Sequence, residues 1–347
     1  MCTEQQKRNI FHMTSINNFT FVVLTYNHSN YILEHLESIK YLIENFGNGI
    51  SVGIIIADDG SLDNTVPLAQ YWLKKNSYLF NIIRVISDGV NRGTCKNLTR
   101  ALENLETDYC KITAGDDVYS CENLFIEVEK INNNHILSGL PLNLVNGTIM
   151  PNRFDLFNLF ASNIIYKKSQ FITRLKRINF FNTPNIIYST YALTNKEITT
   201  FVDRFSVTED YPLKIKMAQI YRPLKYVQIE NTLVYYRRTA NSTYIVKKSL
   251  FSKDKLDIIN YLIISERNII DKLLLRNRLF CYKLENKYLK RILNMSVYLY
   301  GFNILRNILS ILSEVNKFDA QINKLHKYQA HYEFIVARAK NYQISTE

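Results

Sequence analysis

The first half of the chain alternates short apolar runs with longer segments of helical periodicity. Residues 19–25, 52–57 and 82–86 are rich in β-branched, aromatic and other apolar side chains, which is typical of strands buried on both faces. Between the runs, apolar residues recur at helical spacing, as they do at Ile32, Leu36, Ile39, Ile43 and Phe46. Because strand and helix alternate strictly, the pattern predicts a mostly parallel α/β sheet flanked by helices, with right-handed crossovers.

A fourth apolar run, residues 111–114, ends in Gly115 and the adjacent carboxylates of Asp116 and Asp117. Two neighbouring negative charges repel each other unless a cation lies between them and another anion, such as a diphosphate. Gly-Asp-Asp is also common in turns, so a turn without a ligand is the alternative interpretation. The metal interpretation gains weight if other polar groups lie beside the aspartates.

The preceding strands supply such groups. The first predicted strand ends in Thr25, Tyr26 and Asn27, and the second ends in Asp58 and Asp59. The carboxyl ends of parallel strands meet at one edge of the sheet, where ligands bind. We interpret Asp58 as a structural capping residue. The chain has neither a G-x-G-x-x-G motif nor a Walker loop, which argues against a dehydrogenase and a P-loop enzyme.

The chain has 347 residues, 47% of them hydrophobic, and a formal net charge of +12. This charge favours a negative partner, and nucleic acid ranks below phosphorylated substrates and anionic membranes because no nucleic-acid-binding motif is visible. The five cysteines form no C-x-x-C pair, which predicts a reducing compartment without disulfides. The polar N-terminus lacks the apolar core of a signal peptide, and the sequence has no apolar run of about 18 residues that would predict a membrane span.

Four motifs, in this order, resemble those of the family 2 glycosyltransferases. They are Val-Val-Leu-Thr-Tyr-Asn at 22–27, Asp-Asp-Gly-Ser-Leu-Asp at 58–63, Asn-Arg-Gly-Thr-Cys-Lys-Asn at 91–97 and Gly-Asp-Asp at 115–117. The resemblance covers roughly residues 19–240 and implies the GT-A fold. It implies an N-terminal extension over residues 1–18, a GT-A catalytic domain over 19–245, and a basic helical C-terminal region over 246–347.

For the donor, the resemblance implies a nucleotide pocket at the ends of the first strands. The base of the nucleotide, usually uracil in this family, would donate a hydrogen bond to Asp59. Lys96 stands where many members carry an arginine, and it either contacts a phosphate, without the bidentate geometry of arginine, or is a solvated helix residue. The other donor-binding residues that the resemblance implies are Thr25, Tyr26, Asn27, Asn91, Gly93, Asn97 and Asp116.

The resemblance also implies a metal and a catalytic base. Asp117 would hold Mn²⁺ or Mg²⁺ on the donor diphosphate. Residues 209–213, Glu-Asp-Tyr-Pro-Leu, are similar to the family's Glu-Asp-x-x-Leu element, in which Asp210 would be the base. The alternative is an acidic first turn of a helix, favoured by the helix dipole. Members often carry a histidine near position 239, where this chain has a threonine, so Arg237 or Arg238 is expected to replace it as a phosphate clamp.

The remaining segments are less regular. Residues 131–160 show no clear periodicity and predict an irregular segment beside the site, whereas 163–166 predict a strand and 225–236 the closing part of the sheet. Residues 250–347 hold 16 Lys and Arg against nine Asp and Glu, a net charge of +7. Helices in this region either pack on the catalytic domain or rest on anionic lipid, and both can hold at once. Their apolar residues show heptad-like spacing, as at Leu305, Ile308, Leu309 and Leu312.

We therefore expect a cytoplasmic, inverting hexosyl- or N-acetylhexosaminyltransferase that uses a UDP-sugar, a carboxylate base and a divalent cation. Its acceptor would be a growing surface glycan, such as lipopolysaccharide or capsule, or a lipid-linked saccharide, and the protein would sit at the inner face of the membrane if the basic helices bind lipid. One alternative is a sugar nucleotidyltransferase, which would carry a glycine-rich basic loop after the first strand. The other is a non-catalytic nucleotide-sugar-binding protein, which would have lost residues such as Asp117 or Asp210.

Overall fold

Seven strands form the central sheet of the computed structural model, which describes residues 16–129, 135–239, 248–319 and 324–343. Neighbouring strands are parallel, except that the third in spatial order runs antiparallel to both of its neighbours. The carboxyl ends of the fourth, fifth and sixth strands therefore lie at one edge, as predicted. In spatial order the strands are β10 (Lys225–Gln228), β6 (His135–Ser138), β9 (Ile186–Ser189), β4 (Tyr109–Ala114), β1 (Asn18–Thr25), β2 (Ser51–Asp58) and β3 (Ile82–Ile86).

A smaller sheet lies beside the end of β4. Its strands, in spatial order, are β5 (Val118–Tyr119), β11 (Val234–Arg237), β7 (Leu142–Val145) and β8 (Thr148–Met150). The prediction that residues 225–236 close one sheet is wrong, because the chain passes from β10 in the central sheet to β11 in the smaller one. Since β11 pairs with β5, directly after the paired aspartates, this crossing brings Arg237 to the predicted metal site.

Three helices confirm the predicted alternation. Helices α1 (Ile32–Phe46), α2 (Thr65–Asn76) and α3 (Thr94–Leu102) follow β1, β2 and β3 respectively. Val22 of β1 packs in the core that contains α3, whereas Val23 packs in the core that contains α1 and α2. Strand β1 is therefore buried on both faces, as its uninterrupted apolar sequence predicts.

The segment after β5 is more regular than its sequence indicates. The prediction of a strand over residues 163–166 is wrong, because residues 163–165 end a helix that begins at Arg153. The segment over 131–160, predicted to be irregular, contains three strands. Residues 130–134 lie outside the described residues. The Asn152 side chain caps this helix by accepting the backbone N–H groups of Phe154 and Asp155. The helices of this half are α4 (Leu124–Val128), α5 (Arg153–Ile165), α6 (Phe171–Lys176), α7 (Thr190–Leu193), α8 (Lys196–Val202) and α9 (Asp210–Ile220).

The C-terminal helices are α10 (Lys248–Ser265), α11 (Ile269–Lys283), α12 (Lys287–Ile292), α13 (Met295–Arg306), α14 (Ile308–Asp319) and α15 (Leu325–Gln343). Ile258 and Leu262 of α10 share the core on one side of the sheet, and Ala339 of α15 shares the core on the other. The expected packing on the catalytic domain is therefore present at both faces. The heptad-like spacing does not mark a packed seam, because Leu305 and Leu309 face solvent.

Candidate active site

Two loops at the carboxyl ends of β1 and β2 are tied together. The backbone N–H of Asn27 donates to Ser61 Oγ over 2.8 Å. The side-chain oxygen of Asn27 accepts from the backbone N–H of Leu62, also over 2.8 Å. Asn27 has a φ of +55°, a left-handed conformation in which asparagine is enriched. The Thr25 hydroxyl donates to Asp58 over 2.9 Å, and Asp58 also accepts from the Ser61 N–H over 2.8 Å. The Asp58 carboxylate therefore holds the turn together, in agreement with its structural interpretation.

Asp59 fixes the loop that precedes α3. Its carboxylate accepts the backbone N–H groups of Arg92, at 2.7 Å, and Gly93, at 3.1 Å. Gly93 has a φ of +88°, and a Cβ atom there would lie 2.6 Å from the carbonyl oxygen of Ser206, so only glycine fits without rearrangement. The structure thus assigns Asp59 a positioning role for this loop, and its contact with a nucleotide base stays a prediction.

The other predicted donor-binding residues differ in exposure. Asn97 is buried, and its amide donates to the carbonyl of Ala57 over 2.7 Å, which anchors α3 on β2. Its Oδ1 atom has no hydrogen-bond partner in the part of the chain that the structure describes. Tyr26, Asn91 and Lys96 are exposed. Lys96 therefore remains open to both predicted roles, the phosphate contact and the solvated helix residue.

The paired aspartates lie in contrasting environments. Asp117 is buried, its Oδ1 accepts the backbone N–H of Arg237 over 3.0 Å, and its carbonyl accepts from His35 Nδ1 over 2.9 Å. Burial, followed by the charge of Asp116, raises the pKa of Asp117 well above the usual value for a carboxyl group. Burial also lowers the pKa of Lys111 in β4 to about 7, against the opposing effect of Asp117. The ionised pair is therefore unfavourable on its own, and a bound cation would favour it.

This donor set fits a hard divalent cation. Mg²⁺ is usually bound through one or two protein carboxylates together with substrate phosphates, and Mn²⁺ also prefers oxygen ligands. Asp116 and Asp117 supply two carboxylates at the end of β4. Across the described residues, no cluster of three or more His, Cys, Asp or Glu side chains could hold a metal. The two carboxylates would leave the other coordination positions of such a cation to water and to a bound diphosphate.

Arg237 connects the aspartates to α1 and to the C-terminal helix α15. Its Nε donates to the carbonyl of Asp116 over 2.6 Å, and its guanidinium forms an ion pair with Glu34. Tyr332 of α15 donates to the same Glu34 carboxylate over 3.3 Å. These contacts bury the Arg237 side chain. Arg237 therefore positions the aspartates, and a phosphate clamp at this residue would require it to leave Glu34.

Arg238, the other predicted clamp, is more accessible. Its guanidinium lies 3.5 Å from the carboxylate of Asp155 in α5. It also stacks on the ring of Tyr236, with 4.7 Å between the guanidinium carbon and the ring centroid. A half-exposed pair of this kind exchanges partners more easily than a buried one, so Arg238 is the better placed of the two arginines to meet a phosphate.

Glu209 and Asp210 lie at the start of α9 and differ in charge state. Asp210 accepts from the Thr183 hydroxyl over 2.8 Å and from Lys214 Nζ over 2.9 Å. Burial alone would raise the pKa of Asp210, but Lys214 and Thr183 outweigh it and hold the pKa below the usual value. Burial and the charge of Asp210 raise the pKa of Glu209 to about 8. At neutral pH, Asp210 is therefore the member of the pair that is held ionised and so is free to take a proton.

A short 3-10 helix, Thr183–Asn185, links the predicted base to the predicted metal site. Thr183 donates to Asp210, and the carbonyl of Pro184 accepts from the buried ammonium of Lys111 over 2.5 Å. The Asn185 side chain accepts the backbone N–H groups of Leu233 and of Val234, the first residue of β11. The carboxylates that the sequence predicts for two separate roles are thus brought to the same part of the molecule.

Asp254 in α10 is a site residue that the sequence analysis missed. Its buried carboxylate accepts the backbone N–H groups of residues 206–208 at distances of 2.8–3.1 Å. These residues lead directly into the Glu209-Asp210 pair, and they also contact the loop at Gly93. The sequence offers only one signal for this role. Asp254 lies four residues before Ile258 and eight before Leu262, so it shares the buried stripe of the helix with these apolar residues.

Solved structures share this fold. TarS residues 1–349 of S. aureus, in complex with UDP-GlcNAc, aligns over 94% of this chain and 89% of that chain, with a TM-score of 0.54 and 19% identity. The mannosyltransferase PcManGT from Pyrobaculum calidifontis, in complex with GDP-Man and Mn²⁺, aligns over 96% of this chain and 89% of its own, with a TM-score of 0.55 and 13% identity. Another TarS structure is matched over 53% of its length. The fold is therefore that of the GT-A glycosyltransferases, as predicted.

The family follows from the sequence comparison. A family model described as Glycosyl transferase family 2 matches residues 20–199, and the chain belongs to this family. A stretch of 107 residues is 33% identical to the abequosyltransferase RfbV of Salmonella typhimurium. That alignment covers 31% of this chain and 30% of the relative, so the chain spans less than a third of the relative's length. The predicted family is confirmed, and the roles of individual residues stay predictions.

Proposed function

We propose that this family 2 glycosyltransferase moves a hexosyl or N-acetylhexosaminyl group from a UDP-sugar to a hydroxyl of a growing saccharide, with inversion at the anomeric carbon and with Mn²⁺ or Mg²⁺ as cofactor. The observation that carries the proposal is the meeting of three groups at one side of the sheet. They are the loop held by Asp59, the Asp116-Asp117 pair, and the ionised carboxylate of Asp210. UDP as the nucleotide is supported by the TarS complexes with UDP and UDP-GlcNAc, which share the fold.

The residues suit a single displacement. The Asp210 carboxylate takes the proton of the acceptor hydroxyl, and the acceptor oxygen attacks the anomeric carbon from the face opposite the nucleotide while the bond to the diphosphate breaks. One attack of this kind inverts the anomeric configuration. Lys214 and Thr183 keep Asp210 ionised and oriented. Asp116 and Asp117 would hold the cation, which when bound stabilises the negative charge of the departing diphosphate.

The proposed acceptor is a surface glycan, such as lipopolysaccharide or capsule, or a lipid-linked saccharide, reached from the cytoplasmic side of the membrane. The basic charge of the C-terminal helices supports work close to anionic lipid. Within the described residues, no helix is both long enough and apolar enough to cross a bilayer. Membrane contact, as proposed, would therefore be made by the surface of these helices.

Incubation of the purified protein with Mn²⁺ and a panel of nucleotide-sugars tests the proposal. The panel contains UDP-glucose, UDP-galactose, UDP-GlcNAc, UDP-GalNAc, GDP-mannose and a nucleotide-linked abequose, the last because one relative is an abequosyltransferase. We expect slow hydrolysis of one UDP-sugar, with the β-anomer released from an α-linked donor and detected by proton NMR. Release of the α-anomer would contradict inversion, and undiminished hydrolysis in excess EDTA would contradict the metal requirement.

The same material separates the alternatives. Release of pyrophosphate from UTP and a sugar 1-phosphate would identify a nucleotidyltransferase. Tight binding of UDP without turnover of any donor would identify a non-catalytic nucleotide-sugar-binding protein. The proposal predicts neither outcome, because the chain keeps the paired aspartates and also keeps Asp210, which is held ionised by Thr183 and Lys214.

A further inference from the structure

Helices α11–α13 present apolar side chains to solvent. Helix α12 has no buried residue at all among its six, although it carries Tyr288, Leu289 and Ile292, and Tyr288 is 79% exposed. Isolated apolar residues at a surface are ordinary, but a helix without a buried face contributes nothing to the core. Helix α12 therefore lies against its neighbours without burying any of its own residues.

The apolar residues of α13 form one outward stripe. Met295, Tyr298, Phe302 and Leu305 are spaced by three and four residues and are all exposed, whereas Ser296 and Tyr300 on the opposite side are buried. Leu305 is 72% exposed and Leu309, which continues the stripe into α14, is 81% exposed. A stripe at this spacing is the usual core-facing side of an amphipathic helix. Here it faces away from the protein.

Helix α11 repeats the pattern next to α13. Ile269, Leu273 and Phe280 are exposed, and Ile269 is 74% exposed, whereas Leu275 on the other side is buried in the core. The side chain of Asn277 ties the two helices together by donating to the carbonyl of Leu293 and accepting from the backbone N–H of Met295, at 2.9 and 2.8 Å. The exposed apolar residues of α11, α12 and α13 are therefore neighbours in space.

Positive charge is interleaved with these apolar residues. Residues 266–306 contain nine Lys and Arg against three Asp and Glu. Two of the three acids are paired inward, Glu266 with Lys176 and Asp271 with Arg177. Outward-facing cations remain on every helix, including Arg276, Lys287 and Arg291. The surface is therefore both apolar and strongly basic.

We infer that α11–α13 and the start of α14 dock on an anionic lipid bilayer. Helices that lie in the membrane interface typically carry tyrosine and aliphatic residues with Lys or Arg between them. Their apolar side chains enter the boundary of the acyl chains, and their cations contact lipid phosphates. A second copy of the chain is disfavoured as occupant, because pairing two such surfaces would bring like charges together.

The docking surface adjoins the active-site edge of the sheet. A cavity of about 1270 Å³ lies between Leu140 and Ile229, which follow β6 and β10, and Arg306 and Leu309 of the docking surface. Since β6 and β10 run parallel to β4 through the sheet, their carboxyl ends lie at the same edge as Asp117. Docking would thus turn this edge toward the bilayer, which, if the proposed function holds, suits a lipid-linked acceptor.

Flotation with vesicles of phosphatidylglycerol and phosphatidylcholine, against phosphatidylcholine alone, tests the inference with the full chain. We expect binding to the anionic vesicles at low salt and at least about tenfold weaker binding at high salt. Two double variants separate the apolar contribution to vesicle binding from the electrostatic one. Leu305→Ser with Leu309→Ser and Lys287→Glu with Arg291→Glu should each weaken binding at least about tenfold, because the first removes exposed apolar area and the second reverses charge.

Matched controls lie on other surfaces. Tyr78→Ser with Tyr191→Ser removes exposed aromatic area elsewhere, and Lys74→Glu with Lys196→Glu makes the same change in charge on exposed helix positions; both should bind vesicles as the unaltered protein does. Equal losses in the controls and the surface variants would overturn the inference. Failure of the unaltered protein to bind anionic vesicles at low salt would also overturn it. The same holds if light scattering shows a dimer and the double variant Leu305→Ser with Leu309→Ser is monomeric. Donor hydrolysis should persist in all these variants, so loss of docking and failure of the proposed function are distinguishable.

Discussion

The carboxylate of Asp254 accepts the backbone N–H of Val207 over 2.8 Å. Asp254 belongs to a C-terminal helix, and Val207 to the loop that leads into the predicted catalytic base, so the two halves of the chain build the site together. On the other side of the sheet, Tyr332 of α15 donates to Glu34, the partner of Arg237. The helical region is therefore a structural part of the candidate active site.

Replacement of Asp254 tests this dependence. Asp254→Ala leaves the three N–H groups of residues 206–208 without their acceptor, and hydrogen bonds to charged groups typically contribute about 1.5–3 kcal/mol each. We expect the free energy of unfolding, measured by urea titration, to fall by roughly 2–4 kcal/mol, and donor turnover to fall as well. Asp257→Ala, at an exposed position of the same helix, is the control. Equal stability of the two variants would contradict the role of Asp254.

The loop before α3 offers a matched pair of glycines. Gly89 and Gly93 both have positive φ, but a Cβ at Gly89 meets no atom within 4 Å, whereas one at Gly93 would lie 2.6 Å from the carbonyl of Ser206. Each substitution by alanine strains the backbone by about 1–3 kcal/mol, and only Gly93→Ala adds a clash. We expect Gly93→Ala to weaken UDP binding, measured by calorimetry, well beyond Gly89→Ala. Indistinguishable affinities would mean that the close approach at Gly93 does not shape the nucleotide site.

The ion pair between Lys214 and Asp210 predicts a pH effect. Lys214 lowers the pKa of Asp210, so Lys214→Gln, which removes the positive charge, should raise that pKa. The acidic limb of the pH profile of kcat/KM should then move to higher pH, because the base becomes protonated earlier. For the same reason, the pair contributes stability above the usual carboxyl pKa that is lost as the pH falls through the lowered one. Lys216→Gln, which faces Glu197 instead, should leave the acidic limb in place.

The paired aspartates predict opposite effects on stability and on activity. Asp117→Asn keeps an oxygen for the Arg237 N–H but removes a buried charge beside Asp116. Without metal, its melting temperature should not fall, because the repulsion between the aspartates is relieved. Its turnover with Mn²⁺ should fall at least about 10²-fold, or ~2.7 kcal/mol of barrier. Wild-type protein that binds UDP equally well in Mn²⁺ and in EDTA would contradict the metal role.

The sequence predicts the strands and helices of the first half because strands buried on both faces are apolar throughout, as residues 52–57 are, and the helices between them are amphipathic. The residues at the carboxyl ends of these strands could likewise be assigned to one edge. The strand predicted over residues 163–166 is absent, because a short β-type run at the end of α5 carries less information than the Asn152 cap that starts the helix.

Contacts between residues that are far apart in the sequence could not be predicted from the sequence. Arg237 and Glu34 are 203 positions apart, and Asp254 lies 46–48 positions from the backbone that it holds. No local periodicity encodes such pairs, because they depend on how the sheet and helices pack in three dimensions. The difference in charge state between Glu209 and Asp210 belongs to the same class, since Lys214 and Thr183 create it only in the folded chain.

The most direct test of the central claim compares Asp210→Asn with Glu209→Gln in the donor turnover assay. Asp210→Asn keeps shape and hydrogen bonding but cannot take the proton, so kcat should fall by about 10²–10⁴, or roughly 3–5.5 kcal/mol of barrier, with donor affinity nearly unchanged. Glu209→Gln should be the milder change, because glutamine resembles the protonated form that the raised pKa of Glu209 favours. Normal turnover by Asp210→Asn together with an inactive Glu209→Gln, at equal donor affinity, would contradict the assignment and make Glu209 the base.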